Sequence, residues 1–483
     1  MAGVSSNDKI SPFSFRNGSL YCENIEIDKL FDDSIPNDRQ WVPAGPFAVY
    51  TFDDPITPAY VYSAAGIKQN VKSYVDGLRH ANLNAKIGYA IKANPNIWLV
   101  EKMKESGVGM IIAVSGYEVL LALKAGFTGE DILLNGNGKQ PWEIKMAIDL
   151  GVLLNVDSVF DAQQIARVHQ DIESSNEVKV LLRIRPVPAK DEESKLKTHE
   201  YVNTAENSKF GFEFSELDQV LAALNSREKI KVVGVHCHFG SCLTNPKVYE
   251  WLGTTVTDIT TELDKRGIAV KIFNVGGGVG IDYHNIPKGL PKQVEEEIKT
   301  VGNFTERFKD IEPVSSISDF LLALAKTIPK DCELILEPGR SLIGNAGILV
   351  CKNLGTKVSY GKKFLVVDGS MNEVIRPCLY GSHHQVFPTK INVTEKWTTY
   401  DVVGPVCESA DFLAKNVPMQ TSSTYMAVMD CGAYCSSMAS RYNMRPQVTE
   451  ILVDDGLWRK IRRRDTFEEC YLKYYDDVKR YDN

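Results

Sequence analysis

No run in this 483-residue chain approaches the ~20 consecutive apolar residues that a membrane-spanning helix needs, so no spanning segment is expected. Excess positive charge is also missing. The net charge is −7, which argues against a broad nucleic-acid surface. The one basic cluster, RKIRRR at 459–464, alternates with Ile461 and is followed at once by acidic residues, so it reads as a solvated strand edge. Ten cysteines occur, at 22, 237, 242, 332, 351, 378, 407, 431, 435 and 470, but none forms a CxxC pair. Neither a zinc ribbon nor a thioredoxin-like site is indicated, and reduced thiols are expected. The N-terminal MAGVSSNDKISPFSF lacks a charged-then-apolar signal pattern and is not rich in arginine. The expected location is the cytoplasm, or a plastid if a transit segment has been removed.

What is present is a rhythm. From residue 85 onward, short apolar runs rich in β-branched residues alternate with turn residues and stretches of 3.6-residue periodicity. The strand-like runs are IGYAIK (87–92), MIIAVS (110–115), DILLNG (131–136), LLNVDS (153–158), VKVLLRIRP (178–186), VVGVHCHFG (232–240), IFNVGGG (272–278) and ELILEPG (333–339). Eight βα units in series predict a closed (β/α)₈ TIM-like barrel over 56–345; an open doubly wound sheet is the alternative. Two connections are long. One holds the polar PAKDEESKLKTHEYVNTAENSKFG; the other, 284–332, reads as an insertion with helix of its own. After residue 345 the strands GILVCKN, KKFLVVDG, KWTTYDVVG, TYMAVMDCG and VTEILVDDG follow one another without helical crossovers, which predicts an antiparallel β domain over 346–483. Residues 1–55 are expected to contribute strands to it.

Barrel chemistry belongs at the carboxyl ends of the strands. There the chain offers Lys92 in YAIKANPN, two histidines in HCHFGS (236–241), three glycines in GGGVG (276–280), and Glu337 with Arg340 in LEPGRS (336–341). Lys92 reads either as a lysine snorkelling from the rim or as an amine that forms an imine with an aldehyde. The histidines at i and i+2 raise a metal site, but no nearby carboxylate or cysteine completes a ligand set, and none is expected. A flat imidazole also suits stacking on a planar ring. The glycines suit either a tight turn or a phosphate, for which the position after strand seven is favourable. An imine-forming lysine, a stacking surface, a phosphate cradle and a carboxylate together describe pyridoxal 5'-phosphate. Beyond the barrel, GPVCESADFLAK (404–415) sets Cys407 beside Glu408, which by itself fits an ordinary loop as well as half of a site.

YAIKAN, HCHFGS, NVGGGVGIDY, EPGRS, VDGSMNEVIRPCLYG, VVGPVCESADF and CGAYCSSMASRYN occur in that order. Together they resemble the diaminopimelate decarboxylase family of barrel-fold (fold-type III) pyridoxal-phosphate enzymes, over most of the chain. The resemblance implies decarboxylation of meso-2,6-diaminopimelate to L-lysine. It makes Lys92 the Schiff-base lysine, His238 the ring-stacking residue, Ser241, Gly277 and Gly278 phosphate contacts, and Glu337 the partner of the pyridine nitrogen. Arg340, Arg376, Tyr380 and Glu408 become substrate contacts, and Tyr434 touches both cofactor and substrate. Arg340, at the same rim, also suits the cofactor phosphate. Cys407 becomes the proton donor, reaching the site from the neighbouring subunit of a homodimer with two shared sites. Cys378, Cys431 and Cys435 are left to structural packing.

Ornithine-type enzymes share the barrel features but need an acidic pocket for a lone cation. Arg340, Arg376 and Glu408 instead suit a distal amino-acid head group. Two departures stand out: RIRP in place of RINP, which introduces Arg185, and GSHH (381–384) in place of DAYH, which introduces His383 beside His384. Decarboxylation of ornithine, lysine or another basic amino acid is the alternative within the same fold. A non-catalytic regulator is the alternative outside enzymes.

Overall fold

The computed structural model describes residues 12–31, 57–172, 176–188, 196, 208–309, 311–466 and 469–470. Most of the polar connection at 188–211, and much of the N-terminal segment, lie outside the described residues. The chain divides into two compact units, one within Ile67–Asp282 and Ile311–Leu342, the other within Asn7–Gly66, Tyr283–Asp310 and Ile343–Asn483.

Strands β1 (Phe13–Arg16), β2 (Ser19–Cys22), β3 (Ile25–Glu26) and β4 (Ala59–Ser63) precede the barrel. The barrel strands are β5 (Ala85–Ala90), β6 (Met110–Ala113), β7 (Ile132–Leu134), β8 (Leu153–Val156), β9 (Val178–Arg183), β10 (Ile230–His236), β11 (Ile272–Asn274) and β12 (Glu333–Leu336). All pair in parallel and close in the order β10-β11-β12-β5-β6-β7-β8-β9. Six lie inside the apolar runs, and β5 and β10 overlap theirs but begin two residues earlier, because a parallel strand buried on both faces reads as continuous hydrophobic sequence. Helices enter between strands where caps permit. Ser115 accepts from Glu118 N–H, Ser158 accepts from Asp161 N–H, and Gln140 with Glu143 forms a capping box ahead of Pro141.

Period-two geometry decides what faces the barrel axis. Met110, Ile112, Leu133, Leu153, Leu181 and Ile335 form an apolar floor, each fully buried aliphatic side chain contributing about 1.5–3 kcal/mol. Two residues further along their strands, toward the carboxyl ends, stand Asn135, Asn155, Arg183 and Glu337. The barrel is thus apolar below and polar above.

The second unit takes in the N-terminal strands. Among the described residues of 1–55, β1, β2 and β3 form a small sheet of their own, with Phe13, Phe15, Leu20 and Cys22 in the same core as Ile348 and Ile451. The strand that joins the large sheet from the N-terminal side is β4, placed by the sequence reading in the barrel. Its neighbours there are β13 (Gly347–Ser359) and β19 (Thr449–Asp454). With β14 (Lys362–Val367), β15 (Val386–Pro388), β16 (Thr398–Val403), β17 (Phe412–Met419), β18 (Tyr425–Val428) and β20 (Leu457–Arg462), the sheet is mostly antiparallel, with parallel pairs β4–β19 and β14–β16. The basic cluster begins within β20, which is an edge strand.

The stretch read as one insertion, 284–332, has two fates. Val294 and Ile298, on helix Lys292–Val301, enter the second unit's core beside Phe13, Phe15, Ile348 and Ile451. Helix Ile317–Leu324 instead packs on Lys247–Asp264, with Phe320 edge-on to Tyr249 at 5.1 Å. It is the ordinary crossover helix before β12.

Candidate active site

Lys92 does not close its strand. It lies in the 3₁₀ turn Ile91–Ala93 just past β5, and its side chain is exposed, so its charge is not stranded in the core. From there its positive charge acts on His238 and Glu337, which puts the three groups at one rim.

Glu337 follows β12 and is only 10% exposed at its side chain. Asn274 donates to its Oε1 at 2.7 Å and Asn135 to the same oxygen at 3.3 Å. Burial raises its carboxyl pKa above the ordinary value, while Asn274 and the charges of Arg183 and Lys92 oppose the rise. His238 accepts a hydrogen bond at Nδ1 from Gly277 N–H, 3.3 Å. Burial, then Lys92 and Arg183, push its pKa down to about 3, so the ring is a neutral plane at pH 7.

The glycines beside it cannot carry side chains. A Cβ on Gly276 would lie 2.5 Å from His238 Nδ1, one on Gly277 2.1 Å from Glu337 O, and one on Gly278 2.1 Å from Gly240 O. Gly278 also has φ +96°. Arg340, at the start of helix Arg340–Ile343, donates from Nη2 to Ser241 Oγ at 3.2 Å, so a guanidinium and a hydroxyl sit together on this rim. Arg185 is otherwise engaged: it donates to the carbonyls of Phe210 and Gly211 and so ties down the backbone of Phe210–Gly211.

The remaining candidates belong to the second unit. Arg376, on helix Arg376–Tyr380, is 2% exposed. Its Nη1 donates to His384 Nε2 at 2.8 Å, its Nη2 to Ser382 Oγ at 3.2 Å, and its guanidinium lies 4.9 Å from the Tyr283 ring centre. His384 is held in turn by donating from Nδ1 to Met429 O. Ser382 and His384 of GSHH therefore aim Arg376. His383 stacks on His284 with ring centres 5.3 Å apart.

Cys407 and Glu408 are exposed on a loop that Asp411 organises, accepting from Met371 N–H at 2.7 Å and Val406 N–H at 2.8 Å. Asn443 Oδ1 fixes the Cys407 backbone at 2.8 Å. Tyr380 is 44% exposed. Tyr434 has φ +58°, a left-handed conformation that is costly for a bulky side chain and that clusters at working sites. Cys431 and Cys435 are buried, whereas Cys378 is half-buried, with the charges of Asp411 and Glu408 acting on it.

The sequence reading missed Asn135, Asn155 and Asn274, and weighed His236 only as half of a metal pair. Each stands at a strand end, two residues beyond a small or apolar inward residue, and that spacing was the available signal. Among the described residues, no group of three or more histidine, cysteine or acidic side chains could hold a metal ion.

Residues 65–344 match the family model described as pyridoxal-dependent decarboxylase, pyridoxal binding domain. A probable chloroplastic diaminopimelate decarboxylase of Oryza sativa subsp. japonica is 37% identical over 469 residues, spanning 95% of this chain and 84% of that protein. The diaminopimelate decarboxylase of Aquifex aeolicus is 33% identical over 459 residues, 94% and 95% of the two chains. Among solved structures, the diaminopimelate decarboxylase of M. jannaschii in co-complex with L-lysine superposes with TM-score 0.78 at 26% identity, covering 95% of this chain and 97% of that one. The Helicobacter pylori enzyme complexed with L-lysine gives 0.74 at 29% identity, covering 86% and 96%. On sequence, fold and extent of match, this chain belongs to the diaminopimelate decarboxylase family of pyridoxal-dependent decarboxylases.

Proposed function

We propose that this protein removes CO₂ from meso-2,6-diaminopimelate to form L-lysine, with pyridoxal 5'-phosphate as cofactor. The observation that carries the reading is one barrel rim: Ala90 N–H donates to Pro338 O at 3.0 Å and Glu337 N–H to Gly276 O at 2.7 Å, while Gly277 N–H donates to His238 Nδ1 at 3.3 Å, which gathers Lys92, Glu337 and His238. The rim fits that cofactor. His238 offers a flat uncharged face, Gly277 and Gly278 leave backbone clear of side chains, Ser241 and Arg340 suit a phosphate, and Glu337 suits a protonated ring nitrogen. When bound, pyridoxal phosphate supplies the electron sink for the pair released as the carboxylate departs.

The chain's own groups divide the remaining tasks. Lys92 is the amine that would hold the cofactor through its aldehyde. Glu337, steadied by two amide donors, keeps a proton at the ring nitrogen. Cys407 delivers a proton to Cα, a contribution of about 10²–10⁴-fold for a positioned general acid. Arg376 and Arg340 suit carboxylates, Glu408 an ammonium, and Tyr380 and Tyr434 line the substrate. A distal head group with both charges favours diaminopimelate over ornithine, and the lysine held by the two solved relatives supports lysine as product.

Cys407 serves the partner subunit's rim in a homodimer with two shared sites. The cytoplasm or a plastid is its location, the latter supported by the chloroplastic name of the rice relative. Among the described residues, no helix is long and apolar enough to cross a membrane.

The test is CO₂ release by purified protein with added pyridoxal phosphate, offered meso-diaminopimelate, ornithine, lysine or arginine. Release from diaminopimelate alone, yielding L-lysine, is expected; release mainly from a simple diamino acid overturns the substrate. Mixing inactive Lys92→Ala and Cys407→Ala proteins restores activity if sites are shared, and fails to do so if each chain is self-sufficient.

A further inference from the structure

HCHFGS holds two histidines, and only His238 has a part in the reading above. His236 is 0% exposed, enclosed in the polar tier of the barrel. Its proton can be placed by following the hydrogen bonds. Glu337 as a carboxylate only accepts, so Asn135 meets Oε1 through Nδ2. Asn135 Oδ1 then accepts from Asn155 Nδ2. The same Asn155 amide nitrogen also faces His236 Nδ1, so Nδ1 is an acceptor without a proton. Burial, followed by the charges of Arg183, His238 and Lys92, holds the His236 pKa well below its ordinary range, and the ring is neutral. A neutral imidazole with a bare Nδ1 carries its hydrogen on Nε2. That atom lies 3.7 Å from Glu337 Oε2 and has no hydrogen-bond partner among the described residues. The amide chain thus leaves one oxygen of Glu337 and returns to the other. The closing gap exceeds hydrogen-bond length.

We propose that His236 is a positioning residue for Glu337: its Nε2–H faces the second carboxylate oxygen and, with the amides of Asn274 and Asn135, holds that carboxylate ionised and oriented. The inference rests on the proposed role of Glu337 at the cofactor's ring nitrogen. Donors to a carboxylate lower its proton affinity and oppose the rise that burial imposes. A less basic Glu337 leaves the shared proton on the cofactor nitrogen instead of taking it. A histidine that merely filled the core would have no preferred tautomer toward Glu337.

Nitrogen-15 NMR of the full-length protein carrying its cofactor, labelled in the histidine rings, reads the tautomer directly. The His236 signal is identified by its loss in His236→Gln. Protonated Nε2 and bare Nδ1 are expected; the opposite tautomer, or a doubly protonated ring, overturns the proposal. In His236→Leu, infrared difference spectroscopy should gain a protonated-carboxyl band that is absent from His236→Leu/Glu337→Gln. Its kcat should fall about tenfold to a hundredfold, as for one hydrogen bond to a charged group, with KM within about twofold. His236→Gln, which keeps an N–H donor, should recover most of the loss. No new carboxyl band, or no recovery with glutamine, counts against the proposal. Failure to decarboxylate diaminopimelate would sink the proposed reaction and leave the ring signals where they are.

Discussion

Lys139 and Asp161 are 1% and 2% exposed, with Nζ 2.6 Å from Oδ2. Lys139 also donates to Gly136 O at 2.7 Å, tying down the loop that follows Asn135. Replacing Lys139 with methionine removes the cation and leaves Asp161 buried, with the Asp157 N–H at 3.0 Å as its remaining donor at that oxygen. Breaking a buried pair from one side costs about 3–5 kcal/mol, because the surviving charge has lost its counter-charge but not its desolvation. At about 2–4 °C per kcal/mol this is a fall in Tm of roughly 6–20 °C. The double variant Lys139→Met/Asp161→Leu removes both charges. It should recover more than half of the loss, with about 1 kcal/mol remaining for the Asp157 N–H that loses its acceptor. Calorimetry on both singles and the double closes the cycle. The reasoning is refuted if the single lysine variant lies within about 1 kcal/mol of the parent, or if the two single losses simply add in the double.

Steady-state kinetics of Cys407→Ala should show kcat reduced by about 10²–10⁴-fold with KM nearly unchanged; equal losses in turnover and substrate binding would reject the proton-donor role. Gly278→Ala combines a left-handed φ with a Cβ 2.1 Å from Gly240 O, and should cost about 1–3 kcal/mol of thermal stability and weaken cofactor retention. Full retention on dialysis would show that the backbone there can yield. Glu373 accepts from Ser370 N–H and Oγ, and burial lifts its carboxyl from the ordinary 4.5 to about 6. The folded protein therefore binds this proton more tightly than the unfolded chain. The stability it contributes is complete below about pH 4.5 and is lost as pH rises through 6. Between pH 4 and 7 the unfolding free energy of the parent should fall by about 2 kcal/mol relative to Glu373→Gln. A constant difference across that range would contradict the assignment.

The barrel was legible because each of its strands is short, apolar and followed by turn chemistry, a pattern written locally in the chain. The second unit was less so. In β17, FLAKNVPM, the interior Lys415, Asn416 and Pro418 interrupt alternation, whereas β20 was legible as a solvated strand edge because an edge strand can solvate its basic side chains. Lys92, Cys407 and the glycines carry chemistry in their own residue types and could be picked out one motif at a time. Asn135, Asn155 and Asn274 could not, since asparagine at a strand end is also a common turn residue. Nor does anything near Arg376 in the sequence say that His384 and Ser382 hold it.

By itself, then, the sequence determined the order of strands and helices, the caps and turns, and which residue types stand at the strand ends. Only the closed barrel decided which of those ends meet. Asn135 and Glu337 are 202 residues apart in the chain and Asn155 and His236 are 81 apart. Their hydrogen bonds exist because eight parallel strands, twisted and sheared into a ring, bring every inward carboxyl-end side chain to one enclosed tier.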